Sequence, residues 1–169
     1  MTILNNYVVV DAETTGLYSD KGDRITSISA LRILNNQIQD QFFSLINTGV
    51  AIDPAVEEIT GISTQILMNA PSGLTVFPQF LAFIDGLPVI AHNVAFFKKF
   101  LENELRLLDL HDFLHYTDTL SIARQMFPGQ NCSIDGLLQR LNLQRQPMEG
   151  FYSSDIKNIY QIYEVMKKQ

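Results

Sequence analysis

The segment Tyr7-Val8-Val9-Val10-Asp11-Ala12-Glu13-Thr14-Thr15-Gly16-Leu17 contains the strongest fold signal in this chain. Residues 6–12 are typical of a buried strand. Two acids, Asp11 and Glu13, stand two positions apart where this strand ends. Because side chains alternate between the faces of a strand, both carboxylates project to the same side. Neighbouring carboxylates repel each other, and a hard divalent cation with oxygen ligands would neutralise them. The pattern predicts a metal-binding strand end; a polar strand end before a turn is the alternative.

The composition predicts one globular domain that spans residues 1–169. A chain of 169 residues can bury a sizeable core, and its 46% hydrophobic and 18% charged residues are typical of globular proteins. We expect neither a membrane-spanning helix nor a secretory signal, because no long apolar run is present. The single cysteine, Cys132, fits a reducing cytoplasm. A net charge of −6 argues against a broad phosphate-binding surface, although metal ions could supply positive charge for one strand end.

Strand and helix patterns alternate along the chain and predict an α/β fold with a mixed sheet. The first three strands should form an antiparallel meander, since Asn35-Asn36 is a turn signal between the second and third. Predicted strands cover residues 6–12, 25–33, 37–46, 87–92 and 116–119. Predicted helices begin at Asp53-Pro54 and near Ser63, and cover residues 74–85, 94–108, 119–126, 133–141 and 153–167.

Two segments resemble motifs of the DEDD 3′–5′ exonucleases, the superfamily that includes polymerase proofreading subunits and ribonuclease T. The first is V-V-V-D-A-E-T-T-G-L at residues 8–17, and the second is A-H-N-V-A-F-F-K-K-F-L at residues 91–101. A weaker third motif starts from Asp155, and the resemblance extends over residues 7–165. It implies a ribonuclease H-like fold, with a mixed five-stranded sheet flanked by helices. It also implies phosphodiester hydrolysis assisted by two metal ions.

The resemblance implies specific roles for residues of the first and third motifs. Asp11, Glu13 and Asp155 would be catalytic and would bind Mg²⁺ or Mn²⁺, with Asp11 shared between two ions. The turn after the strand also fits a place where backbone N–H groups approach a ligand. The implied substrate-binding residues are Thr14, Thr15, Gly16, Leu17, Ile62, His92, Asn93 and Phe96. Asn93 is also predicted to cap the helix that begins at Val94, and His92 to hydrogen-bond the backbone.

Two catalytic positions differ from the family pattern. Phe97 stands where the second motif has an acid, and a phenyl ring cannot ligate a cation through oxygen; as a core aromatic at helical spacing it is readily explained. Gly150 stands where the histidine branch has its general base, and the tyrosine branch's position is Phe151. Glu149 or Tyr152 could replace that base from a neighbouring position. One metal site would then be retained and the second weakened.

Charged residues near position 97 give two further expectations. A lysine at 98 or 99 could partly replace the charge of a lost metal, although such a pair is usually a solvated helix face. Helical spacing predicts that Glu102 and Glu104 lie away from the side of Phe97. On the second strand, Ser27 replaces an acid often seen in the family.

Three functions remain open from the sequence. The first is a weakened 3′–5′ exonuclease that acts on a nucleic acid 3′ end, preferably single-stranded. The second is an inactive family member that binds a nucleic acid end or a protein partner. The third is an unrelated small-molecule binder whose acids hold one metal. No membrane partner is expected, and the acidic charge argues against long duplex DNA.

Overall fold

A computed structural model describes residues 3–111, 113–147 and 155–169 of this chain. In chain order, the described strands are β1 Tyr7–Thr14, β2 Ile25–Leu34, β3 Gln37–Leu45, β4 Val89–Ala91 and β5 Tyr116–Asp118. The described helices are α1 Pro54–Thr60, α2 Thr64–Leu67, α3 Gly73–Ile84, α4 Val94–Leu107, α5 Thr119–Met126, α6 Ile134–Arg140 and α7 Ile156–Met166, with a short 3-10 helix at Ser19–Lys21.

The five strands form one mixed sheet, as predicted, and their order in it is β3-β2-β1-β4-β5. The β1–β2 and β2–β3 pairs are antiparallel, and the β1–β4 and β4–β5 pairs are parallel. Asn35 and Asn36 form the β2–β3 turn with positive φ angles of 52° and 62°, a conformation that asparagine tolerates well. In the β1–β2 register, Asp11 lies opposite Ser29 and Glu13 lies opposite Ser27.

The central strand β1 is buried on both faces of the sheet. Val8 and Val10 pack into a core that α3 and α4 cover. Tyr7 and Val9 face the other way and pack into a core that α7 covers. Because Asp11 and Glu13 continue the alternation of Tyr7 and Val9, they belong to the α7 face. The fold therefore brings the acids of the first motif to the side where Asp155 precedes α7.

Local signals at helix ends agree with the predictions. Pro54 opens α1 behind an Asp53 cap, and the Ser63 hydroxyl accepts from the Ile66 N–H at the start of α2. The predicted helix over 153–167 is observed from Ile156, and its first two positions lie outside the described residues. Across the described ranges, no helix has the length and apolar character needed to cross a membrane.

Candidate functional site

The carboxyl end of β1 meets the start of α7. The backbone N–H of Asp155 donates to Asp11 Oδ2 at 2.8 Å, across 144 positions of sequence. Asp155 occupies the position before α7 without capping it through its side chain. The fold thus brings together the acids of the first and third motifs. Glu13 lies beside them on β1, opposite the buried Ser27.

The Asp155 carboxylate is bound by groups of this same chain. Its Oδ1 accepts from Arg145 Nη2 at 2.8 Å and from Asn158 Nδ2 at 2.9 Å. The other guanidinium nitrogen, Arg145 Nη1, lies 2.6 Å from Asp135 Oδ1. Arg145 therefore bridges an acid of α6 and the acid before α7. Sequence reasoning missed Arg145, because nothing in the local pattern around it signals a partner.

The described residues do not form a preorganised site for metal ions. Over those ranges, no group of three or more histidine, cysteine, aspartate or glutamate side chains is arranged to hold a metal ion. The Asp155 carboxylate faces a guanidinium, and position 97 supplies no oxygen. The predicted ligand set of Asp11, Glu13 and Asp155 therefore stays a prediction. Gly150, Glu149, Phe151 and Tyr152 lie outside the described residues.

Phe97 is a core residue in the first turn of α4. Its side chain is 5% exposed, and its ring lies 6.4 Å from that of Tyr116. A cavity of about 30 Å³ separates this helix from the end of β1. Its lining residues are Val10, Asp11, Ala12, Thr14, Ala91, His92, Phe96, Phe97 and Phe100. Phe97 and Asp11 thus line the same small cavity, and position 97 contributes hydrocarbon to the core.

The turn after β1 is built around Asp23. Thr15 Oγ1 donates to Asp23 Oδ1 at 3.0 Å, and the Tyr18 N–H donates to Asp23 Oδ2 at 2.8 Å. A Cβ on Gly16 would lie 2.5 Å from Asp23 Oδ2, so only glycine fits here without displacing the carboxylate. Leu17, at the tip, is 68% exposed. The turn is thus rigid at its base and presents an apolar side chain to solvent.

A buried ion pair joins this turn to α4 and corrects an expectation about Glu104. Glu104 is 1% exposed and accepts from Arg24 Nε at 2.8 Å, Arg24 Nη2 at 2.7 Å and the Ile25 N–H at 3.0 Å. The expectation that it points away from the side of Phe97 is wrong. Residues seven apart lie about two turns apart on the same helix face, and that spacing was the missed signal. Glu104 serves Arg24 and does not replace the acid missing at Phe97.

The second motif is held by hydrogen bonds from α5. His92 Nδ1 lies 2.9 Å from Thr119 Oγ1, and burial lowers the pKa of the imidazole below 6.5. The backbone N–H of Asn93 donates to Asp118 Oδ1 at 2.9 Å. Asn93 precedes α4 with a φ of 66° and makes no capping hydrogen bond through its side chain, so the predicted cap is wrong. A capping residue ordinarily has an extended backbone, and Asn93 has a left-handed one instead.

Lys98 and Lys99 form the solvated helix face that is usual for such a pair, and Ile62 offers no side-chain surface to a substrate. Lys98 pairs with Glu102 at 3.5 Å and Lys99 pairs with Asp20 at 2.8 Å, on the exposed side of α4, so neither lysine serves the site. Ile62 has no exposed surface and packs in a small core with Ile52 and Leu67. A side chain without accessible surface cannot contact a substrate in this conformation.

Residues 8–163 match the RNase T exonuclease family. The chain belongs to this exonuclease family. It is 37% identical over 142 residues to the DNA polymerase III epsilon subunit of Rickettsia prowazekii, covering 80% of this chain and 62% of the relative. It is 35% identical over 138 residues to the PolC-type DNA polymerase III of Thermotoga petrophila, covering 81% of this chain and 10% of the relative. The chain thus spans only part of these relatives' length.

Solved structures confirm the ribonuclease H-like fold expected for the exonuclease family. The nuclease domain of 3′hExo, a DEDDh family member bound to rAMP, superposes with a TM-score of 0.84 at 14% identity, covering 99% of this chain and 94% of that chain. Exonuclease X in complex with 5′ overhanging duplex DNA superposes with a TM-score of 0.71 at 20% identity, covering 96% of this chain and 92% of that chain. At these identities the likeness concerns the fold alone.

Proposed function

We propose that this chain, acting as one exonuclease-like domain, binds the 3′ end of a nucleic acid strand and hydrolyses it far more slowly than a family member with a complete site. The family assignment supports the ligand class. The observation that carries the weakened hydrolysis is Phe97, a buried phenylalanine that lines one cavity with Asp11 and stands where the family pattern has an acid. Its packing against Tyr116 explains why the residue is well tolerated there.

The chemistry that the exonuclease family performs needs cations that this site holds poorly. Members typically use divalent metal ions, which stabilise charge on the attacking and leaving oxygens when bound. In this proposal Asp11 and Glu13 hold one Mg²⁺ or Mn²⁺, while position 97 supplies no ligand for a second. Gly150 also supplies no general base, which costs about 10²–10⁴-fold in rate. The two losses need not add, since both affect one catalytic unit.

The substrate is proposed to be a single-stranded 3′ end in the cytoplasm. A net charge of −6 disfavours a long duplex, whose binding depends on many phosphate contacts. The exposed Leu17, at the turn beside Asp11, offers an apolar surface for a terminal base. Relatives in the fold comparison were solved with DNA or with histone mRNA stem-loop, so both sugars belong in the assay.

The first experiment incubates 5′-labelled single-stranded DNA and RNA with the protein and Mg²⁺ or Mn²⁺. We expect slow shortening from the 3′ end that Asp11→Ala abolishes. Rapid digestion comparable to that by a complete family member would contradict the weakened site. The Asp11→Ala control excludes a contaminating nuclease, because only the chain's own activity depends on that carboxylate.

A restoration experiment tests the cause of the weakness. Phe97→Asp combined with Gly150→His should raise the hydrolysis rate by about 10²-fold or more, because it returns a metal ligand and a base. The matched control carries Phe97→Asn with Gly150→His, which has a similar side-chain size without the ligand charge. Thermal unfolding of both variants checks that the core tolerates the exchange. A folded Phe97→Asp, Gly150→His variant with no gain in rate would refute the account.

A second candidate function is binding without hydrolysis, and the guanidinium on Asp155 favours it. Fluorescence anisotropy with 3′-hydroxyl and 3′-phosphate oligonucleotides separates end recognition from general affinity. Tighter binding to the hydroxyl end supports a 3′-end binder. A steep fall of affinity with salt would count against the version in which the partner is a protein.

A further inference from the structure

The guanidinium of Arg145 forms an ion pair with Asp155, an acid of the candidate site. Its Nη2 lies 2.8 Å from Asp155 Oδ1, and the Asp155 N–H donates to Asp11 Oδ2. The carboxylate that the family resemblance assigns to a metal ion is therefore already paired with a guanidinium, whose charge it shares with Asp135. Lys98 and Lys99, by contrast, form surface pairs with Glu102 and Asp20.

Several contacts hold the Arg145 segment against α7. Arg145 Nη1 lies 2.6 Å from Asp135 Oδ1 on α6. The neighbouring Gln146 N–H donates at 2.9 Å to Asn158 Oδ1, and Asn158 is 2% exposed. Asn158 also donates through Nδ2 to Asp155 Oδ1, so one buried amide organises both the segment and the acid. The guanidinium is thus directed at Asp155 by the fold around it.

We propose that Arg145 is the internal counter-ion of Asp155 and competes with divalent cations for that carboxylate. A metal ion that takes Asp155 as a ligand must displace the guanidinium and approach against its charge. The displacement is feasible because the Arg145 and Asp155 side chains are 48% and 30% exposed, and exposed pairs are readily exchanged. The inference rests on the proposed function only in assigning Asp11 and Asp155 to one site.

The test measures Mn²⁺ binding, without nucleic acid, from the electron paramagnetic resonance signal of the free ion. Arg145→Gln should bind Mn²⁺ about fivefold more tightly than the native chain. Arg140→Gln is the matched control, because it removes one positive charge from α6. The Arg140 guanidinium contacts Gln130 Oε1 at 3.1 Å and the Phe127 ring, so its loss changes overall charge without uncovering Asp155. We expect that control to stay close to the native affinity.

A double-mutant cycle shows whether the effect passes through Asp155. In an Asp155→Asn background, Arg145→Gln should change the Mn²⁺ affinity no more than Arg140→Gln does, because the carboxylate for which Arg145 and Mn²⁺ compete is absent. As a second readout, Mn²⁺ should raise the Tm of Arg145→Gln more than that of the native chain.

Three results would overturn the proposal. The first is that Arg145→Gln and Arg140→Gln bind Mn²⁺ with equal affinity. The second is that Arg145→Gln still raises the Mn²⁺ affinity when Asp155 is replaced by asparagine. The third is that neither the native chain nor Arg145→Gln binds Mn²⁺ detectably. Because no nucleic acid is present, each of these outcomes leaves the 3′-end binding experiment to decide the proposed function separately.

Discussion

Two arginine–carboxylate pairs flank the candidate site, and they differ in burial. Glu104 is 1% exposed beside an Arg24 side chain that is 23% exposed, whereas Arg145 and Asp155 are 48% and 30% exposed. A buried charge that loses its partner stays desolvated, while an exposed one is rescued by water and salt. The Arg24 pair is therefore structural and fixes the turn after β1 to α4. The Arg145 pair is accessible to solvent, and this is why we propose that a metal ion competes with it for the Asp155 carboxylate.

The largest effect should come from Glu104→Ala, which leaves the Arg24 guanidinium and the Ile25 N–H without their acceptor. We expect a loss of about 3 kcal/mol in the free energy of unfolding, the lower end of the range for broken buried pairs. Glu102→Ala is the control on the same helix, since Glu102 is 56% exposed and pairs only at 3.5 Å with Lys98. Its cost should stay within about 0.5 kcal/mol. Equal costs of Glu104→Ala and Glu102→Ala in urea denaturation would show that burial gives the Arg24 pair no advantage over an exposed pair.

Asp118→Ala tests the carboxylate that holds the Asn93 backbone of the second motif and caps α5. Asp118 Oδ1 accepts from the Asn93 and Leu120 N–H groups at 2.9 and 3.1 Å, and Oδ2 accepts from Ser121 Oγ at 2.7 Å. Its removal should cost about 2 kcal/mol, the upper end of the range for a lost helix cap.

Asp53→Ala is the comparison for Asp118→Ala, because Asp53 caps α1 through one hydrogen bond to the Ala55 N–H. That variant should lose about 1 kcal/mol. Should Asp53→Ala prove the more costly of the two in denaturation, Asp118 would not be the support of the second motif that its contacts suggest.

His92 should give a smaller effect that depends on pH. Burial lowers the pKa of the folded imidazole below 6.5, so the unfolded chain takes up the proton first as pH falls. The stability from the neutral ring is complete above 6.5 and declines as pH falls through the folded pKa. Urea denaturation at about pH 7.5 and about pH 5.5 should therefore show a smaller decline for His92→Gln than for the native chain. The exposed His111, changed to glutamine, should leave the native decline intact.

The smallest effect on folding should come from Arg145→Gln. Loss of the ion pair between Arg145 and Asp155 should change the free energy of unfolding by at most about 1 kcal/mol, as for other exposed pairs. Asp155 keeps its hydrogen bond from Asn158 Nδ2, which limits the cost further. A loss approaching that of Glu104→Ala, measured under the same denaturation conditions, would show that the Arg145 pair is structural as well. The comparison between the two pairs would then fail.

Short-range patterns in the sequence determined where the strands lie along the chain, where the helices start and which family the motifs resemble. The run from Tyr7 to Glu13 predicted the central strand because alternation and β-branched residues act over neighbouring positions. Pro54 and Ser63 marked helix starts through their own backbone and hydroxyl chemistry. The burial of Phe97 followed from helical spacing.

The partners of the charged side chains were decided by the tertiary structure. Arg24 and Glu104 stand 80 positions apart, and only the packing of α4 beside the start of β2 brings them together. Arg145 reaches Asp155 because the buried Asn158 holds its segment against α7. Ile62 belongs to a motif-like segment, yet its burial depends on Ile52 and Leu67, which the local pattern does not reveal. Local propensity acts along the chain, whereas charge pairing depends on distances in space, so the sequence alone could name the acids but not what neutralises them.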